Sequence, residues 1–146
     1  MPTVRFFTEN INFKLRRKLL LKQWIKQVII SEGYTLQQIN YVFCSDSYLL
    51  QINQDFLHHD TLTDIITFDT SDNKDHALEG EIYISIDRVE ENASLLNTSF
   101  EDEIYRVIIH GIFHLCGYSD EGEEQKSIMR RKEDQALALL IKLQNV

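Results

Sequence analysis

Proline is almost missing from this sequence. Pro2 is the only one, and five glycines are scattered over 146 residues. No proline-, glycine- or serine-rich linker, low-complexity tract or internal repeat divides the chain. Cysteine is equally scarce: Cys44 and Cys116 stand 72 positions apart without a CxxC pair, which excludes a disulfide framework. Long apolar runs are absent, and Val107 to Ile109 falls far short of the roughly 20 residues that a membrane span needs. The opening Met1-Pro2-Thr3-Val4-Arg5 shows no basic stretch leading into an apolar one, so no secretory signal is visible. The expectation is an intracellular, cytoplasmic protein with no membrane partner.

What is present suits one globular unit over residues 1–146, with 43% apolar, 10% aromatic and 26% charged residues. The net charge of −8 is unevenly spread. Residues 1–40 carry seven Lys/Arg against two Asp/Glu, a balance of +5, and the other 106 residues balance at −13. A local basic stripe decides where a polyanion docks, so nucleic-acid binding stays open.

The pattern predicts strands over 4–8, 39–44, 65–68 and 81–86, the last two separated by a polar loop around Ser71 to His76. Helices are predicted over 14–31, in a short stretch after Ser45-Asp46-Ser47, over 88–96 capped by Asp87, after Ser99, and over 124–143. Strands and helices mix without strict alternation, which predicts an α+β fold with a mixed four-stranded sheet. The helix after Ser99 is apolar on nearly every side from Ile104 to Leu115, so it should be the buried central helix, ended by Gly117.

That helix carries the informative stretch, His110-Gly111-Ile112-Phe113-His114-Leu115-Cys116-Gly117-Tyr118-Ser119-Asp120. His110 and His114 are one turn apart on one side of a helix, where two imidazoles can share a tetrahedral metal. Gly117 lets the chain turn back, and Asp120 can bring a carboxylate to the same ion, leaving a fourth position for water. The plain alternative is a pair of satisfied core histidines. Zinc proteases of the HExxH type place a glutamate base directly after the first histidine, and here that position is Gly111, which disfavours peptide hydrolysis.

At these residues the sequence resembles the YbeY family of metal-dependent endoribonucleases, ribosomal RNA maturation factors. HGIFHLCGYSD is set against the family's HGxLHLxGYDH. The stretch from Asn53 to Phe68 resembles NxxYRxxDxPTDVLSF, and Gly80 to Ser85 resembles a GDIxI strand. The resemblance implies a zincin (metalloprotease-like) architecture and one Zn²⁺ held by His110, His114 and Asp120, with Asp120 standing where the family usually has a histidine. It also implies single-stranded RNA as partner, ribosomal RNA precursors above all, with ribosomal or assembly proteins as further partners. One departure stands out: Leu57 occupies the position of the family's phosphate-holding arginine. His58 and His59 beside it are candidate substitutes, though neither equals a guanidinium fork.

Three readings follow: a zinc-dependent single-strand endoribonuclease in ribosome biogenesis, a metallopeptidase-like hydrolase opposed by Gly111, and a non-enzymatic ribosome-assembly factor with a structural metal. Lys14, Lys18, Lys22 and Lys26, beside Arg16 and Arg17, form either a solvated face or a phosphate-tracking ridge. Asp60, Asp64 and Asp69 offer the donors of a metal cluster, but Asp60 and Asp64 precede a strand, where turn and cap duty is commoner, and Glu133 and Asp134 are read as solvent-facing. Met129 is read as core or as packing beneath the metal, and Cys116 as a buried structural thiol.

Overall fold

The computed structural model describes residues 2–72 and 76–145. Its elements run β1 (Thr3–Glu9), α1 (Lys18–Ser31), β2 (Thr35–Cys44), α2 (Asp46–Leu57), β3 (Ile65–Asp69), β4 (Ala77–Ser85), α3 (Ile86–Leu96), α4 (Phe100–Leu115) and α5 (Glu123–Gln144). The four strands form one sheet in the order β1-β2-β4-β3. The β1/β2 and β2/β4 pairs are parallel and β3/β4 is antiparallel, giving the mixed sheet of an α+β fold. Positions 73–75 of the expected polar loop lie outside the described residues.

The pleat sorts side chains between two layers. In β4, Ile82 and Ile84 join the main core with Ile39, Tyr41 and Phe43 of β2, beneath α1 and α4. Tyr83, between them, belongs instead to a smaller cluster with Leu49 of α2 and Ile66 of β3. Each fully buried isoleucine contributes about 1.5–3 kcal/mol. Two buried hydrogen bonds lock helices in place: Tyr41 Oη donates to the Ile108 carbonyl (2.8 Å), and Trp24 Nε1 donates to that of Ala136 (2.7 Å). A Cβ at Gly111 would meet Ile82 Cδ1 at 3.0 Å and Ile65 Cδ1 at 3.1 Å. Its absence lets α4 lie close on β3 and β4, and this sets the height of the preceding His110.

Several boundaries differ from the sequence reading, and Ile86, expected to end the last strand, instead opens α3. Arg17 takes a left-handed backbone (φ 60°), so α1 starts at Lys18 and leaves Lys14 in the preceding loop, which buried Leu15 holds on the core. β2 starts at Thr35 and β4 at Ala77, because the parallel ladder between them extends beyond the apolar stretches. The cap of α3 is Ser85, whose Oγ accepts the Arg88 N–H, and not Asp87, which accepts the Asp46 N–H instead. Among the described residues, no helix is long and apolar enough to cross a membrane.

Candidate active site

Ser99 caps α4 as expected, its Oγ accepting the Asp102 N–H at 3.0 Å, and Glu101, Asp102 and Glu103 complement the positive helix start. The helix ends where Gly117 (φ 102°) donates to the His114 carbonyl and Tyr118 donates to that of Phe113, both at 3.0 Å. Tyr118 packs edge-on against Phe113, and its hydroxyl donates to Glu32 (2.6 Å). The returning chain carries Asp120 over the helix, its Oδ2 3.5 Å from His110 Nε2. The His110 and His114 rings lie nearly parallel (11°), with centroids 6.4 Å apart.

All three residues line a cleft of about 740 Å³ with Asp64, Leu57 and His59. Asn53 Nδ2 donates to the Thr61 carbonyl (2.9 Å) and so fastens the loop between α2 and β3. His114 and Asp120 are exposed on the rim. Among the described residues, no three His, Cys, Asp or Glu side chains stand together as an ion-holding group. The structure therefore brings the expected donors to one cleft without gathering them on one point.

The sequence reading missed Glu133. It is buried, not solvent-facing, because it continues the stripe Met129, Glu133, Ala136 and Leu140 that α5 turns inward. That four-three-four spacing was the available signal. Glu133 Oε2 lies 2.7 Å from His110 Nδ1, and its Oε1 accepts from Arg106 Nη1 at 2.9 Å. Arg106 Nη2 donates to Asp134 Oδ1 (2.7 Å), which stays half-exposed. Burial alone would lower the His110 pKa, but the hydrogen bond to Glu133 and the charges of Glu133, Asp120 and Asp64 raise it above the ordinary histidine value.

Asp64 is the second correction. Its backbone carbonyl accepts the Ser85 N–H (2.9 Å), and its side chain lines the cleft, where burial raises its pKa despite the offsetting charge of His110. Glu103, also on the cleft, is raised by burial and by Asp64. Asp60 and Asp69 are not among the residues lining the cleft: Asp60 accepts from the Gln54 side chain, and Asp69 accepts the Ser71 N–H in a local turn. Leu57 sits on the cleft wall with His59, whereas His58 caps α2 in a left-handed conformation and is not among the lining residues. The guanidinium on this wall is that of Arg106. Met129 is core, and Cys116 is only partly buried, its thiol pushed up to about 12 mainly by burial.

A model of the family described as endoribonuclease YbeY matches residues 5–141. The chain belongs to this family. It is 47% identical to the endoribonuclease YbeY of Cytophaga hutchinsonii, over 94% of this chain and 95% of the relative. It is likewise 47% identical to that of Flavobacterium psychrophilum, over 95% and 98%. The solution structure of TM1509 from Thermotoga maritima superposes with a TM-score of 0.64 at 27% identity, covering 96% of this chain and 93% of that one. The span matched by the YbeY model takes in His110, His114, Asp120, Glu133 and Leu57.

Proposed function

We propose that this protein is an endoribonuclease, a hydrolase that cuts phosphodiester bonds in single-stranded RNA during ribosomal RNA processing. The curated relatives named as endoribonucleases, matched along nearly their whole length, support the activity. A zincin-like reading of the fold is supported by a helix that carries both histidines beside the antiparallel edge strand β3. Residues 1–146 acting as one unit is supported by a core that includes residues from β1 through α5. The free thiols Cys44 and Cys116 suit a reducing compartment such as the cytoplasm.

One observation carries the site reading. Glu133 engages His110 Nδ1 and leaves Nε2 facing the cleft and Asp120, which is how a metal-bound histidine is commonly oriented. The donor types fit one zinc ion, which His110, His114 and Asp120 would hold. When bound, zinc supplies a Lewis acid for charge on the scissile phosphate and lowers the pKa of water. Glu133 fixes the tautomer and plane of His110, and Arg106 fixes Glu133. Asp64, its affinity for a proton raised by burial, stands on the same wall to hold one near the reacting groups.

Metal analysis paired with cleavage of single-stranded and duplex RNA tests this reading. About one zinc per chain and cutting of the single strand are expected. His114→Ala should lose metal and cutting while its circular dichroism persists, and Leu57→Arg should cut faster. Cutting that survives His114→Ala would overturn the site. A protein that never cuts, yet melts far lower on chelation, would be an assembly factor with a structural metal.

A further inference from the structure

We propose that the open edge of β1 and the outer face of α1 form a second RNA-binding surface, a basic rim holding the sugar-phosphate backbone away from the cleft. The proposal rests on the endoribonuclease reading and assigns it an anchoring site.

The first observation is a helix built against its own electrostatics. Helix α1 carries Lys18, Lys22 and Lys26 at four-residue spacing and no acidic residue in its 14 positions. Like charges at that spacing repel, and the cations Arg16, Arg17 and Lys18 crowd the positive end of the helix, which has neither an acidic first turn nor a capping side chain. Helix α4 shows the usual solution, with three acids in its first turn. Such a local violation calls for compensation outside the helix. The described residues do not supply it: Arg88, Arg106 and Lys132 have carboxylate partners, while Arg5, Lys18, Lys22 and Lys26 have none.

The second observation is convergence. A groove of about 390 Å³ between β1 and α1 is lined by Arg5 from the strand and by Lys22 and Lys26 from the helix. Lys22 Nζ stands over the Phe6 ring, 6.0 Å from its centroid. Successive lysines rise about 6 Å along α1, so three of them make a row of about 12 Å.

The third observation is need. The cleft is rich in carboxylates, from Asp64, Glu103, Asp120 and Glu133, and has Leu57 on its wall. A polyanion gains little there until a cation binds. Charge complementarity therefore points to the rim, on a segment balanced at +5 within a chain of −8. The occupant is the RNA backbone. Edges β1 and β3 are three strand spacings apart, about 14 Å, so a dinucleotide held in the cleft does not reach the rim, whereas a long strand does.

The test compares the 146-residue chain with Arg5→Gln/Lys18→Gln/Lys22→Gln/Lys26→Gln, using a single strand of roughly 30 nucleotides and an RNA dinucleotide. These side chains lie outside the core, and circular dichroism checks the fold. For the long strand, the slope of log affinity on log salt should become shallower by about 3, with affinity falling similarly on every sequence. Cleavage of the dinucleotide should stay unchanged. Arginine at the three lysine positions should keep the slope. An unchanged slope with cutting intact overturns the proposal and leaves the nuclease reading standing. Loss of binding only to phosphatidylglycerol vesicles would make the rim a membrane contact and overturn it equally. A parent protein that neither binds nor cuts RNA of either length overturns both.

Discussion

At the C-terminal ends of β2 and β4, Asp46 accepts from Ser85 Oγ (2.7 Å) and from Arg88 Nε (3.0 Å), while its backbone N–H donates to Asp87 (2.8 Å). Around α4, Glu133 accepts from Arg106 and meets His110 at comparable distances. Both networks pair a half-buried arginine with a carboxylate withdrawn from solvent, Arg88 with Asp46 in the first and Arg106 with Glu133 in the second. The first closes on itself and joins the starts of α2 and α3, where Asp46 and Asp87 also complement the helix dipoles. The second ends on His110 Nε2, with Asp120 at 3.5 Å, and opens into a cleft. The two differ in what they leave open, since the second leaves a ring nitrogen facing accessible space, and that is what makes it the candidate site.

The largest break in this comparison should come from His110→Ala. RNA cleavage should fall more than about 100-fold, beyond the usual cost of an outer-shell change, with the melting temperature measured alongside. Glu133→Gln removes the charge that orients the ring. Zinc affinity and cleavage should fall about 10- to 100-fold, and NMR titration should show the His110 pKa lowered. Asp46→Ala in the closed network should cost about 1–2 kcal/mol in urea unfolding and leave cleavage per folded molecule unchanged.

The smallest effect concerns Cys44, beside the closed network. Burial first, then the charges of Asp46, Asp87 and Glu9, push its thiol up to about 12. Below about pH 8.5 the thiol is protonated in both folded and unfolded chains and has no influence. Above that the unfolded thiol ionises first, so stability should decline with rising pH. Cys44→Ala should flatten that alkaline decline in thermal melts.

Much of the fold was legible because its signals are local. Ser99 and Gly117 delimit α4, and the alternation that places Ile82 and Ile84 on one face marks a buried strand. His110, His114 and Asp120 were readable as a group because helix pitch and one glycine turn link them. Glu133 was not, since its role depends on which face α5 turns toward α4, and a glutamate in an acidic chain reads as solvated. Asp64 was misread for a similar reason: the cleft it lines is assembled from β3, α4 and α5, which lie far apart in sequence. The basic stripe was read one turn too long, because nothing in Lys14 to Arg17 announces the left-handed residue that starts the helix late.

The bond from Trp24 to Ala136 spans 112 positions, and Glu133 lies on the same late helix. During synthesis, a nascent chain that has not yet released α5 lacks the acceptor for its buried indole and the carboxylate that orients His110. One helix therefore completes the buried core and supplies the carboxylate beside His110, so the proposed site cannot be assembled before the core is.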